Sequence, residues 1–337
     1  MKFSIEGRKI GPKHPCYIIA EIGINHEGDS KVAMEMMEQA FQVGADAVKL
    51  QIVEVEESYA KGTESYEMFS SSTLSDKALK NMVKKAKKMG GFLFATAGDP
   101  LSVTRCVNAG MQAFKVSSGL LNNIPLIRIL GKTKKPIILS TGMSNISEVK
   151  ESINVAKNSG ANDIAVLQCT SIYPAPAETL NLNTIKTLSK ECGVVSGYSD
   201  HYLGSLSCVA AVALGASIIE KHFTITPASK GFDHHISLEP SSFKDMVDKI
   251  RLVEKMLGND IKEPTKEELL KKALIRRYCV AKENIYAGDA ITLENISYKR
   301  VLNPSNGVEV SNFDQILGRK LTTNVKAGQN VERWMLE

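Results

Sequence analysis

Short apolar runs rich in β-branched and aromatic residues alternate with amphipathic segments between residues 15 and 258. The amphipathic segments carry the apolar spacing of helices. Many of them end at a glycine, the residue most often found just past a helix C-terminus. The apolar runs predict eight strands, at residues 16–22, 46–52, 91–97, 113–118, 136–141, 163–169, 194–200 and 217–224.

Strands that alternate with helices indicate a parallel sheet. Eight such units in about 245 residues match the (β/α)8 TIM barrel, which typically needs about 250 residues. The competing fold, a doubly wound open sheet, normally shows a glycine-rich first turn, and residues 21–28 do not read GxGxxG. We therefore predict an α/β barrel over residues 1–258, with a hairpin at residues 3–11 that caps its lower end.

The pattern changes after Gly258. Residues 259–275 read as a charged linker with one proline and a short helix. Residues 276–337 read as short β segments separated by turns such as 286–289 and 326–329. A β-rich domain this small is marginal by itself, so we expect it to pack against a partner surface.

The amino-acid composition indicates which classes of partner to expect. Hydrophobic residues make up 43% of the 337 residues and charged residues 23%, as in ordinary globular proteins. Six cysteines without a CxxC pair indicate reduced, buried thiols and a cytoplasmic location. The chain has no apolar run of membrane-spanning length, and its net charge of +5 is spread over helices. We expect neither a membrane nor a nucleic-acid partner, and the mild charge suits small anionic substrates.

Two histidines, His201 and His222, close consecutive strand-like runs. Neutral imidazoles at the rim of a sheet suit a divalent metal with open coordination positions. A hydrogen-bonded strand terminator is the other interpretation of each histidine. Because barrel enzymes carry their active sites at the C-terminal ends of the strands, the polar residues at those ends, such as Glu21, Lys49 and Lys115, favour the metal site.

Two lysines in a barrel mouth allow two chemistries. Lys49 or Lys115 could form a Schiff base, as in class I aldolases. Alternatively, both remain charged and bind phosphate and carboxylate groups together with neighbouring hydroxyls. The histidine pair favours the second, since a metal polarises a carbonyl without an imine. Glu21 is a candidate general acid/base, or else the partner that neutralises one of the lysines.

Eight ordered motifs resemble the sialic acid synthase family, which includes N-acetylneuraminate, legionaminate and pseudaminate synthases and spore-coat relatives. The motifs are AEIGINHEG (20–28), GADAVKLQ (44–51), FKVSSG (114–119), KPIILSTGM (135–143), CTSIYPAP (169–176), GYSDH (197–201), IIEKHFT (218–224) and GFDHHISLEP (231–240). The tail is similar to the antifreeze-like SAF domain, a β-clip fold that ends these synthases.

The resemblance implies condensation of phosphoenolpyruvate with N-acetylmannosamine or a di-N-acetamido-6-deoxy hexose. Phosphate leaves with C–O cleavage, and the product is a nine-carbon 2-keto acid. His201 and His222 would hold Mn2+, with Mg2+ and Co2+ as alternatives. The implied phosphoenolpyruvate positions are Lys49, Thr96, Lys115, Ser118, Ser140, Ser171 and Ser199. Glu21 is the implied acid/base, and the sugar-side positions are Gln51, Tyr173 and Asp233, the last in a loop at residues 231–237 able to cover the site.

The resemblance also implies a domain-swapped homodimer in which Arg300 reaches the barrel of the other subunit. The sequence departs from the family at two places, one that affects the reach of Arg300 and one that affects the choice of acceptor sugar. The loop after Arg300 is longer than the family's, and Leu120 stands where the family usually carries an acidic residue. A carboxylate that grips a hydroxyl contributes about 1.5–3 kcal/mol, so Leu120 indicates a different or deoxygenated acceptor.

Two other functions remain open at this point. One is a catalytically silent, sugar-binding homologue, which Leu120 favours. The other is a phosphoenolpyruvate-dependent 3-deoxy-ulosonate synthase, which would leave the tail unexplained.

Overall fold

The computed structural model describes residues 3–226, 233–302, 304 and 306–337. The chain divides into two compact units, Met1–Gly258 and Asn259–Glu337. After the hairpin strands β1 (Phe3–Ile5) and β2 (Arg8–Ile10), eight strands form a closed parallel barrel, as the alternation predicts. They are β3 (Tyr17–Gly23), β4 (Ala47–Ile52), β5 (Phe92–Ala97), β6 (Phe114–Val116), β7 (Ile137–Ser140), β8 (Ile164–Cys169), β9 (Val195–Asp200) and β10 (Ile218–His222). The barrel closes because β10 pairs with both β3 and β9.

The helices of the first unit include one in each amphipathic segment that the sequence predicts to be helical. They are α1 (Ser30–Gln42), α2 (Val55–Ser58), α3 (Glu64–Ser70), α4 (Asp76–Lys88), α5 (Pro100–Ala109), α6 (Ile124–Lys132), α7 (Ile146–Asn158), α8 (Thr184–Cys192), α9 (Leu206–Ala213) and α10 (Pro240–Leu257). The short helices α2 and α3 were not predicted, because so few residues show no helical period. One local signal was Thr63, because threonine often caps the start of a helix. In the structure its hydroxyl accepts the Tyr66 N–H at the start of α3.

Alternation along each strand divides the core into two layers. Outward residues such as Ile18, Val48 and Leu93 belong to the cluster that packs the barrel against its helices. Inward residues such as Ile19 and Phe94 fill the lower barrel together with the β1–β2 hairpin. Further along each strand, the inward positions turn polar. The interior is therefore apolar and closed below, and polar above.

The hairpin that closes the lower end depends on its turn. Glu6 and Gly7 both have positive φ, 45° and 81°, as a two-residue turn that follows the strand twist requires. Phe3, Ile5 and Ile10 are then buried against the inward residues of the barrel. The predicted capping hairpin is present in the structure.

The second unit begins with an exposed helix, α11 (Lys266–Ile275), whose N-terminus is closed by a capping box between Thr265 and Glu268. Two short antiparallel strands follow, β11 (Tyr278–Ala281) and β12 (Ile296–Lys299). Their apolar residues join a small core of their own. This agrees with the predicted β-rich tail.

Two further expectations concern the cysteines, predicted to be reduced and buried, and the lack of a membrane-spanning segment. All six cysteines are free, and all but the half-buried Cys192 are buried. Within the described ranges, no helix is both long enough and apolar enough to cross a membrane.

Gly197 tests how tightly the barrel interior is packed. A Cβ at this position in β9 would lie 2.3 Å from the Ile218 carbonyl oxygen and 2.7 Å from Leu167 Cδ2. We expect Gly197→Ala to lower the free energy of unfolding by about 1–3 kcal/mol, as overpacking does. Urea unfolding measures this. Gly119→Ala is the matched control, because nothing lies within 4 Å of its Cβ position; equal midpoints for the two variants would contradict the packing argument.

Candidate active site

A cavity of about 350 Å³ opens at the C-terminal ends of the barrel strands. Its walls come from all parts of the barrel, because parallel strands end on the same side. Among the sequence-predicted residues, those lining it are Glu21, Lys49, Gln51, Lys115, Ser118, Ser140, Ser171, Tyr173, Ser199, His201 and His222. The structure thus brings residues from seven strands or their following loops into one site.

The floor of the cavity holds two buried lysines and two buried carboxylates. Lys49 contacts Glu21 directly, and its Nζ lies 3.9 Å from Glu220 Oε1. Lys115 Nζ lies 3.2 Å from the same Glu220 oxygen. Glu220 therefore bridges the two lysines. Its other oxygen, Oε2, is buried and has no hydrogen-bond partner among the described residues.

Hydroxyl groups complete this floor. Lys49 Nζ donates to Thr96 Oγ1 at 3.1 Å, and Lys115 Nζ donates to Ser140 Oγ at 2.6 Å. Ser199 Oγ donates to Glu220 Oε1 at 2.9 Å. Each charge is thereby held in place by a neighbouring strand, which offsets part of the cost of burying it.

The two carboxylates differ in their protonation. Burial raises the pKa of Glu21 to about 7, although Lys49 opposes this shift. Burial acts in the same direction on Glu220, but Lys115 and Lys49 outweigh it and lower that pKa to about 2. Glu220 therefore remains a carboxylate at neutral pH, while Glu21 can exchange a proton there.

The two lysines also differ. Burial lowers the pKa of Lys115, and Glu220 offsets only part of this effect. Burial also opposes the charge on Lys49, but Glu21 and Glu220 outweigh it and raise its pKa. Lys49 is thus the more firmly charged of the two, because it faces both carboxylates.

The two histidines stand at the rim above these charges. Their ring centroids are 5.5 Å apart, and Tyr173 stacks on His201 at 4.0 Å. His201 Nδ1 lies 2.7 Å from the Thr170 carbonyl oxygen, so this nitrogen carries a proton, and Nε2 has a free lone pair when the ring is neutral. Burial and His201 hold the pKa of His222 well below its usual value, which keeps this ring neutral.

These features fit a divalent metal. His222 is a neutral donor whose buried Nδ1 has no hydrogen-bond partner in the part of the chain that is described, and His201 offers Nε2 once that nitrogen is unprotonated. Within the same part, no group of three or more His, Cys, Asp or Glu side chains could hold a metal ion. A metal at His201 and His222 would therefore take further ligands from substrate and water, as a catalytic site with open positions does.

Three predicted residues lie outside the lining of this cavity. Thr96 faces an adjoining cavity of about 290 Å³, which also shares Gln51 with the first. Asp233 Oδ2 lies 3.5 Å from His222 Nδ1, at the rim. Residues 231 and 232 of the predicted covering loop lie outside the described residues. Arg300 is exposed in the second unit, just after β12.

Several wall residues were missing from the predicted set. Glu220 was recognised only as a polar strand end, although its position two residues before His222 places both on the inward face. Tyr59 and Phe69, whose ring centroids are 5.1 Å apart, come from the unpredicted α2–α3 segment and line both cavities. Leu120 lines the adjoining cavity beside these two rings.

Comparison with known proteins gives matches over both units of the chain. The sequence model of the NeuB family matches residues 36–262, and that of the SAF domain matches residues 276–332. An uncharacterized protein of Methanocaldococcus jannaschii is 43% identical, covering 99% of this chain and 98% of its own. An N,N'-diacetyllegionaminic acid synthase of Campylobacter jejuni is 36% identical, covering 92% and 96%. The crystal structure of a sialic acid synthetase from Leptospira borgpetersenii superposes with a TM-score of 0.77 at 30% identity, covering 81% and 95%.

Glu220→Gln tests the charge arrangement. Removing the bridging carboxylate leaves Lys115 buried without its ionic partner, so we expect the free energy of unfolding to fall by about 3–5 kcal/mol in urea at neutral pH. Glu191→Gln is the control, because it breaks the exposed 2.8 Å pair with Lys150 and should change stability little. A similar small effect for both variants would show that Glu220 does not hold the lysines.

Proposed function

The chain belongs to the NeuB family of sialic-acid-type synthases, and we propose that it condenses phosphoenolpyruvate with an N-acetylated amino sugar. Water adds at C2 of phosphoenolpyruvate, phosphate leaves with cleavage of its C–O bond, and the product is a nine-carbon 2-keto acid. The observation that carries this proposal is the cavity floor, where Lys49 and Lys115 are flanked by hydroxyls beneath the imidazoles of His201 and His222.

Phosphoenolpyruvate supplies two anionic groups to this floor. Lys49 and Lys115 bind its carboxylate and phosphate, with hydrogen bonds from the surrounding serine and threonine hydroxyls. Among the described residues Lys115 contacts one carboxylate, Glu220, so part of its hydrogen-bonding capacity is free for the substrate. The hydroxyls of Ser118 and Ser171 are close to one another across Gly142, where an added Cβ would lie 2.8 Å and 2.3 Å from them.

The sugar aldehyde lies at the rim. A metal held by His201 and His222, Mn2+ in our proposal, would polarise this aldehyde toward attack by C3 of phosphoenolpyruvate. Gln51 and Tyr173 face the cavity and orient the sugar, while Asp233 approaches from beside His222. Glu21, whose pKa is raised to about 7, exchanges the proton needed when the new hydroxyl forms.

The acceptor is in our proposal a sugar with few distal hydroxyls, such as a di-N-acetamido-6-deoxy hexose. Leu120, Val53 and the two aromatic rings of Tyr59 and Phe69 contribute apolar surface to the adjoining cavity, which is also lined by polar residues such as Glu57 and Asn123. Apolar surface leaves a sugar hydroxyl without a partner but accommodates a methyl group. N-acetylmannosamine is the alternative acceptor.

We further propose that the enzyme acts in the cytoplasm as a domain-swapped homodimer. The small β-rich unit is a match to the SAF domain, and Arg300 is exposed on it. In such a dimer Arg300 would face the sugar site of the other subunit.

Phosphate release tests the reaction. We expect release from phosphoenolpyruvate with Mn2+ and one unphosphorylated acetamido sugar, and loss of release with EDTA. The acceptor panel holds N-acetylmannosamine, di-N-acetamido-6-deoxy hexoses and arabinose 5-phosphate. Release with arabinose 5-phosphate alone would favour a 3-deoxy-ulosonate synthase, and silence across the panel a sugar-binding homologue. Borohydride trapping of a lysine with EDTA-insensitive activity would replace the proposal with Schiff-base chemistry.

The metal assignment is tested by His201→Ala and His222→Ala. Both should abolish turnover and Mn2+ binding while leaving the unfolding midpoint close to that of the native chain, because both side chains line the cavity and neither belongs to the apolar core clusters. His14→Ala is the control, since this histidine is exposed and lies before β3, away from the strand C-termini. Turnover retained in both site variants would refute the metal site.

A further inference from the structure

A second buried ion pair lies immediately behind the histidine site. Lys221 Nζ is 2.8 Å from Asp200 Oδ2, and both side chains are fully buried. Asp200 directly precedes His201 and Lys221 directly precedes His222. Because strand side chains alternate, Lys221 points away from the barrel interior that its neighbours Glu220 and His222 face.

This pair also holds the backbone on the far side of His201. Asp200 Oδ1 accepts the Tyr202 N–H at 2.9 Å, while Lys221 donates to the Tyr202 carbonyl. The peptide groups next to His201 are therefore tied to the residue before His222. One contact network fixes both histidine backbones relative to each other.

The carboxylate of Asp200 is fully occupied. Besides Lys221 and Tyr202, it accepts hydrogen bonds from Tyr198 at 2.8 Å, Ser207 at 2.8 Å and Cys208 at 3.3 Å. Ser207 and Cys208 belong to α9, so the helix after the His201 loop is tied to the same carboxylate. These donors to Asp200 thus come from β9, from the loop that holds His201, from α9 and from β10.

Such a pair is poorly explained by stability alone. Replacing a buried ion pair with apolar residues is often neutral or stabilising, since desolvation offsets the attraction between the charges. What the pair supplies is geometry, because two histidines on separate strands can share one ion only at a fixed separation.

We propose that Asp200 and Lys221 are positioning residues that set the spacing of His201 and His222 for metal binding. The proposal rests on the metal site proposed above. It predicts that a chain without this pair folds but binds Mn2+ weakly. Neither side chain needs to touch the metal, because both act through the backbone beside the histidines.

The test is Mn2+ affinity, measured by electron paramagnetic resonance on the full chain, with urea unfolding as a check of the fold. We expect the double variant Asp200→Asn/Lys221→Met to bind Mn2+ about 10- to 100-fold more weakly, the range typical of residues behind metal ligands. The matched control is Arg251→Met. It removes a partly buried ion pair with Asp46 at the opposite end of the barrel strands and should leave Mn2+ affinity unchanged.

Each outcome decides between two claims. Native affinity in the folded double variant would overturn the positioning role and leave the metal site standing. An absence of Mn2+ binding by the native chain would overturn the metal site and this proposal together. If the double variant does not fold, Lys221→Arg decides, because it keeps the buried charge but its longer side chain cannot hold Asp200 and the Tyr202 carbonyl at the same separation. Weaker Mn2+ binding by the folded Lys221→Arg variant supports positioning, and unchanged binding overturns it.

Discussion

Burial of four charges in the upper barrel is the constraint on which the site depends. Glu21, Lys49, Lys115 and Glu220 occupy inward positions on four different strands, where very little of their surface is open to water. They must therefore neutralise one another, and this requires the barrel to close with β10 beside β3. A slip of one residue in any of these strands would turn its charge outward. Fold and chemistry are thus specified together.

The two carboxylates also differ in pKa, and this difference gives them separate chemical roles. Glu220 faces both lysines and stays ionised, whereas burial brings the pKa of Glu21 to about 7. One carboxylate thus organises the cations and the other can move a proton. The apolar layer below, closed by the hairpin, keeps this arrangement away from water on its lower side.

Sequence reasoning succeeded where a local pattern carried the information. The alternation of apolar runs and amphipathic segments predicted the barrel, and its strand ends predicted where polar residues gather. It failed in the segment between β4 and α4, because α2 and α3 are too short to show a helical period. Tyr59 and Phe69 were therefore missed. Lys221 was missed too, since nothing in its sequence neighbourhood tells an outward ion pair from a solvated strand end.

The sequence by itself determined the order of the elements, the family and the residue types available for chemistry, because these depend on short-range patterns and ordered motifs. Only the tertiary structure decided which charges meet. The sequence left Glu21 as an acid/base or as the partner of either lysine, whereas the closed barrel brings it against Lys49 and gives Glu220 to both. Such pairings join strands far apart in the chain. Barrel closure and register fix them, and no local spacing encodes them.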